Sequence, residues 1–186
     1  MEPQYISPLE KATTTLERFG YRYALIGGFA LSQWKVVRLT YDIDFKLLVP
    51  NLDYASTRKF LQTTFPNPGR TGAPINPFIV SVTIDDVIVD FLLCLPGYEE
   101  QIIERAIQRK LGSLAVWVST AEDLIIQKAI TRRSKDWQDV EELLIVQFAY
   151  LDYEYIENWL KQFSEVLEQP ELLTHYRALL DKASHT

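Results

Sequence analysis

Ala24-Leu25-Ile26-Gly27-Gly28-Phe29-Ala30-Leu31-Ser32, followed after a short spacer by Arg38-Leu39-Thr40-Tyr41-Asp42-Ile43-Asp44-Phe45, is the stretch that decides the reading of this chain. Residues 21–26 read as a short buried strand, and the two glycines break it. Residues 29–37 then read as a helix that starts directly after them. Glycines let the backbone turn sharply and let another group approach closely. A helix start adds free N–H groups and the positive end of a dipole, so the turn reads either as a phosphate site or as a packing device. Residues 41–49 form the next strand, ended by Pro50. Asp42 and Asp44 are two apart on it and leave the same face, while Ile43, Phe45 and Leu47 point the other way. Neighbouring acids repel each other. Such a pair either stays in water or holds a hard cation, as magnesium is held by one or two carboxylates together with substrate phosphates.

A third acid, Asp90, interrupts the apolar run Val87-Ile88-Val89-Asp90-Phe91-Leu92-Leu93. A carboxylate there is costly unless it is paired, metal-bound or at a wet strand end. If this strand lies beside that of Asp42, three carboxylates converge in a form suited to two-metal phosphoryl chemistry.

Around these strands the chain alternates. A first helix is expected after Ser7, with Ser7 as cap, Pro8 at its first position, Glu10 closing a capping box and Gly20 as its stop. A helix is expected over 53–63, and strands over 78–84 and 87–93 joined by a turn at Asp85-Asp86. A helix over 99–110 and a strand over 114–118 complete the alternation. Residues 65–77 carry Pro66, Pro68, Gly69, Gly72, Pro74 and Pro77 and read as an irregular, mobile loop. From Thr120, whose spacing to Asp123 resembles a capping box, the sequence is helical: 121–132, 135–148, 153–168 and 171–182. The expectation is an α/β (α+β) fold, a mixed sheet flanked by helices over 1–119 and a helical region over 120–186 packed on it.

The 186 residues carry a net charge of -6, which argues against a general nucleic-acid coat while leaving room for a local basic patch. Arg58, Lys59, Arg70, Arg105, Arg109 and Lys110 are the residues for such a patch, or else Arg105, Arg109 and Lys110 simply complement a helix end. The single cysteine, Cys94, lies in an apolar run and reads as a buried small hydrophobe. No apolar run reaches the ~20 residues of a membrane helix, and the N-terminal residues lack a signal-peptide pattern. The expectation is a cytoplasmic protein with no membrane partner. The four tryptophans read as core or partly buried anchors rather than base-stacking platforms, and residues 148–155 as a helix junction or else a partner interface.

Together, Gly27-Gly28, the spacer 29–41 and Asp42-Ile43-Asp44 resemble the nucleotidyltransferase superfamily. Arg38-x-Thr40-x-Asp42-x-Asp44-Phe45 is similar to its AbiEii-type toxin subgroup. Downstream, Lys128 and then Arg132-Arg133-Ser134-Lys135-Asp136-Trp137-Gln138-Asp139 resemble that subgroup's helical motif. If this segment is one helix, Lys128, Arg132, Lys135 or Asp136, and Asp139 form one stripe, which is either a phosphate-binding face or an ordinary salt-bridged surface. The resemblance implies transfer of a nucleoside monophosphate from a nucleoside triphosphate, with pyrophosphate leaving and magnesium or manganese as cofactor. By it, Gly27 and Gly28 bind phosphate, Asp42 and Asp44 bind metal, and Asp90 matches the third metal-binding carboxylate by position. Lys128 joins the catalytic set through the triphosphate, while Arg38, Thr40, Arg132, Lys135, Asp136 and Asp139 contribute to nucleotide binding. The acceptor stays open among an RNA or tRNA end, a protein and a small molecule. The subgroup adds a toxin role with an antitoxin partner. The competing reading is a non-catalytic module that binds nucleotide or a partner on the same fold.

Overall fold

The computed structural model describes residues 2–70 and 76–185, so residues 71–75 of the expected loop over 65–77 lie outside the described residues. The chain divides into two compact units, Met1–Ala30 with Leu39–Ser119, and Leu31–Arg38 with Thr120–Thr186. Residues 31–38, expected with the sheet, group with the helical residues. Gln147 Nε2 donates to the Trp34 carbonyl at 2.8 Å, and Arg38 pairs with Asp139 at 2.5 Å.

The first unit is built on a mixed sheet of β1 (Tyr23–Ile26), β2 (Asp42–Leu47), β3 (Ile79–Ile84), β4 (Val87–Leu93), β5 (Ile107–Leu111) and β6 (Leu114–Val118), in the order β3-β4-β2-β1-β6-β5. β2 runs parallel to β4 and antiparallel to β1, and β1 runs parallel to β6. Every residue of β1 is buried. Phe45 of β2 and Phe91 of β4 stack in the core with ring centroids 5.6 Å apart. Four helices join this part of the sequence: α1 (Ile6–Arg18), α2 (Gly27–Gln33), α3 (Tyr54–Thr64) and α4 (Tyr98–Arg105). α3 packs on β3, and α4 on β1 and β2. Asp53 caps α3 by accepting from Ser56 N at 3.0 Å.

The Asp85-Asp86 hairpin is present, with φ of 47° and 64° as a type I′ turn requires. It also corrects the first helix. Ser7 is no cap: α1 starts at Ile6, and Ser7 Oγ donates to Asp85 Oδ2 at 2.7 Å beside the Lys11–Asp85 ion pair. The expected helix over 99–110 is a second correction. Ala106 adopts φ -53° and ψ 138°, which ends α4 at Arg105, and Gly112 at φ 64° turns β5 back as a hairpin with β6. Gln108, Arg109 and Lys110 are exposed on an edge strand, where charge discourages pairing with another chain. Arg109 and Lys110 therefore belong to no basic helix end. Cys94 is buried as expected, and burial pushes its thiol up to about 12.

The second unit contains α5 (Ala121–Ala129), α6 (Ser134–Gln147), α7 (Tyr153–Val166) and α8 (Glu171–Ala183). α5 packs on α6 and α7, and α8 packs on the same two helices. Thr120 caps α5 by accepting from Asp123 N at 3.2 Å. The segment 128–139 is not one helix. α5 stops at Ala129, Arg132 takes φ 62°, and α6 restarts at Ser134, so the expected single stripe does not form. Residues Phe148–Tyr150 form a 3-10 turn at the α6–α7 junction. Among the described residues, no helix is long and apolar enough to cross a membrane.

Candidate active site

Strand register builds the site. Asp44 of β2 stands opposite Asp90 of β4 on one side and Ile26 of β1 on the other, and Asp90 stands opposite Ser81 of β3. Asp42 lies two residues before Asp44 and so shares its face. The three carboxylates each offer an oxygen, and these oxygens lie within 4.8 Å of one another.

Gly27 follows Ile26 at once, so the turn lies against the acids. Its φ is 65°, and a Cβ built on it would lie 2.1 Å from Asp44 Oδ2 and 2.9 Å from Asp44 Cγ. A Cβ on Gly28 would lie 2.6 Å from Thr40 Cβ. Both glycines are therefore required by close approach, to Asp44 and to Thr40 respectively. Thr40 Oγ1 in turn donates to Asp42 Oδ1 at 3.2 Å, and its carbonyl accepts from the Tyr5 hydroxyl at 3.1 Å. α2 begins at Gly27 rather than at Phe29 and is only seven residues long, with Lys35 in the left-handed region just beyond it.

Asp90 is buried at 7% exposure. Its oxygens accept from Ser81 Oγ at 2.5 Å and from Arg70 Nε at 3.0 Å, and Arg70 Nη2 also pairs with Asp42. Arg70 and Arg58, expected in a basic nucleic-acid patch, are both engaged elsewhere. Arg70 bridges two acids, and Arg58 Nη2 donates to the carbonyls of Asn76 and Ile79 at 2.8 and 3.1 Å. Ser81 was missed, although the alternation of β3 and its hairpin register with β4 place it beside Asp90. No pattern in the sequence marks Arg70, because a loop delivers it.

In the second unit Lys128 is buried, and its ammonium pairs with Asp136 at 3.1 Å and with Asp139 at 2.7 Å. Asp139 also pairs with Arg38, whose side chain is 31% exposed. Asp136 also accepts from Thr131 Oγ1 at 2.6 Å and pairs with Arg133. Burial raises the Asp136 pKa, but the Thr131 hydroxyl, the Lys128 charge and Arg133 outweigh it and hold the carboxyl below its ordinary value. Lys128, expected to meet a triphosphate, is thus engaged by two carboxylates. Arg132 and Lys135 join neither cluster. Arg132 lies 3.6 Å from Glu171, and Lys135 is exposed.

The donor set of Asp42, Asp44 and Asp90 consists of carboxylate oxygens only, the hard ligands that magnesium and manganese take. The residues present therefore fit a divalent ion.

The family model described as "Nucleotidyltransferase of unknown function (DUF6036)" matches residues 6–182. The chain belongs to this nucleotidyltransferase family. Two solved structures share its fold at low identity. One is an antigenic nucleotidyltransferase-like protein from Paracoccidioides brasiliensis, with TM-score 0.55 and 15% identity over 94% of this chain and 92% of that one. The other is the antibiotic-resistance factor ANT(2'')-Ia, with TM-score 0.56 and 16% identity over 95% of this chain and 100% of that one. No curated protein matches the sequence. The α/β fold with its mixed sheet is that of nucleotidyltransferases. The comparisons return the superfamily and not the AbiEii-type subgroup.

Proposed function

We propose that this member of the nucleotidyltransferase family moves a nucleoside monophosphate from a nucleoside triphosphate to a hydroxyl-bearing acceptor, using a divalent ion. The observation that carries this reading is the carboxylate triad of Asp42, Asp44 and Asp90 set against a glycine turn that has no room for a side chain. In the reaction the acceptor oxygen bonds to the α-phosphorus, and the bond from that phosphorus to the α–β bridging oxygen breaks. Pyrophosphate leaves, and the hydroxyl proton passes to water. A bound magnesium or manganese ion would neutralise phosphate charge and lower the pKa of the acceptor hydroxyl.

The chain's own residues have separable roles in this reading. Asp42, Asp44 and Asp90 hold the ion. Gly27 and Gly28 keep the turn bare beside it, where phosphate is bound. Thr40 orients Asp42 through its hydroxyl, and Ser81 orients Asp90. Arg38, paired with Asp139, is the partly exposed cation of the second cluster. Lys128 acts as a positioning residue by tying Asp139 to Asp136.

ANT(2'')-Ia is an antibiotic-resistance factor, which puts small-molecule acceptors beside RNA ends and proteins in the pool to be tried. The AbiEii-type motif adds a toxin role to the same chemistry. The test is incubation with magnesium, α-labelled nucleoside triphosphates and an unbiased pool of RNA, protein and small molecules. A labelled product that disappears in Asp42→Ala supports the proposal. Nucleotide binding without any labelled product supports a non-catalytic module instead.

A further inference from the structure

A short arm lies along β3, the edge strand of the sheet. Thr83 N donates to the Asn67 carbonyl at 2.8 Å, Thr83 Oγ1 to the Pro68 carbonyl at 3.1 Å, and Gly69 N to the Ser81 carbonyl at 3.0 Å. Pro68 also bridges Val82 in antiparallel fashion. Gly69 is what lets the arm lie so close, because a Cβ there would sit 2.4 Å from Ser81 Oγ and 2.8 Å from the Val82 carbonyl oxygen. The next residue is Arg70. Its N–H donates to Ser81 Oγ at 3.1 Å, and its guanidinium spans Asp90 at 3.0 Å and Asp42. The arm is thus pinned at four consecutive residues, and the pinned end delivers one cation onto two of the three acids.

Three carboxylates crowded together repel one another, and burial of Asp90 raises the cost of leaving that charge unopposed. A guanidinium supplies the opposing charge in a planar fork that suits two oxygens at once. A divalent ion in the triad would need the same carboxylates. Two cations on those oxygens also repel, so each weakens the binding of the other.

We infer that Arg70 is the built-in counter-ion of the carboxylate triad and competes with the divalent ion for Asp42 and Asp90. This rests on the triad being a metal site. Metal entry releases the guanidinium from the acids, and the phosphates of an incoming nucleotide are its next partner. The arm therefore sets the metal affinity of the resting protein and couples it to nucleotide binding.

The test measures manganese binding in the absence of nucleotide, by paramagnetic resonance of the free ion and by calorimetry. The proteins compared are the wild type, Arg70→Ala, Arg70→Lys and Asp44→Asn. Arg70→Ala is expected to bind manganese at least about tenfold more tightly than wild type. Arg70→Lys, which keeps the charge but loses the fork, falls between them. Gly69→Ala lifts the arm without removing a charge and is expected to tighten binding in the same direction, so the proposal stays testable if Arg70→Ala does not fold. Equal or weaker binding in Arg70→Ala and Gly69→Ala overturns it. If manganese binds the wild type and is lost in Asp44→Asn while the arm variants are unchanged, the metal site stands and only the role of Arg70 falls. If manganese binds none of the proteins, both fall.

Discussion

Replacing Gly27 by alanine probes the closest approach in the site. Two costs are separable. At φ 65° an alanine is held in the left-handed region, which costs about 1–2 kcal/mol. The new Cβ would also lie 2.1 Å from Asp44 Oδ2 and 3.1 Å from Asp44 Cβ, so the whole side chain must swing away. Overpacking of this kind costs about 1–3 kcal/mol, and the lower end applies because the obstacle is a side chain that can rotate. The sum is about 2–3 kcal/mol, or roughly 5–10 °C in Tm for a chain of this size. Gly20 supplies the control. Its φ is 74° and a Cβ there meets nothing within 4 Å, so Gly20→Ala carries the backbone cost alone. Urea denaturation of the two variants gives the stability difference, and manganese titration gives the functional one. The expected result is that Gly27→Ala loses about 1 kcal/mol more than Gly20→Ala, in line with that overpacking cost. It also binds manganese at least about tenfold more weakly than wild type, whereas Gly20→Ala binds as wild type does. Equal destabilisation together with intact metal affinity in Gly27→Ala would show that Asp44 does not depend on the bare turn.

Three further outcomes are expected. Lys128→Ala leaves the buried carboxylates of Asp136 and Asp139 without their shared cation, and urea denaturation should show a loss of about 2–3 kcal/mol. That lies below the 3–5 kcal/mol of a fully broken buried pair because Arg38, Arg133 and Thr131 remain as partners, and a loss under about 1 kcal/mol would contradict the network. Because the Asp136 pKa is lowered in the folded protein, the stability it contributes is present above its unfolded pKa and is lost as pH falls through the folded one. Denaturation followed below about pH 4 should therefore show a steeper loss in wild type than in Asp136→Asn, and identical slopes would count against it. Ser81→Ala removes the hydroxyl that orients Asp90 and accepts from Arg70 N, and should cost about 1 kcal/mol and lower the labelled-product rate.

Much of the site's strand framework was legible because its signals are local. The period-2 alternation around Asp42 and Asp44, the break at Gly27-Gly28 and the Asp85-Asp86 hairpin each sit within a few residues. The interruption at Asp90 was readable for the same reason, since a charge in an apolar strand stands out without any knowledge of its neighbours. β5 was not legible, because Gln108, Arg109 and Lys110 are exposed on an edge strand and carry the same residue types as a solvated helix. The α5–α6 break was missed because the left-handed turn at Arg132 uses neither glycine nor asparagine. The Ser7 cap failed for a tertiary reason, its hydroxyl being claimed by Asp85 from another part of the chain. Arg70 is the clearest limit. Its place on the triad depends on the arm pinned to β3, and no periodicity encodes that docking.

In the proposed reaction Asp42, Asp44 and Asp90 hold a divalent ion beside the glycine turn. Anomalous scattering from crystals grown with manganese and a non-hydrolysable nucleoside triphosphate locates that ion directly. A manganese peak is expected among these three carboxylates, with triphosphate density against Gly27 and Gly28. A peak elsewhere, or bound triphosphate with no metal at the triad, would contradict it.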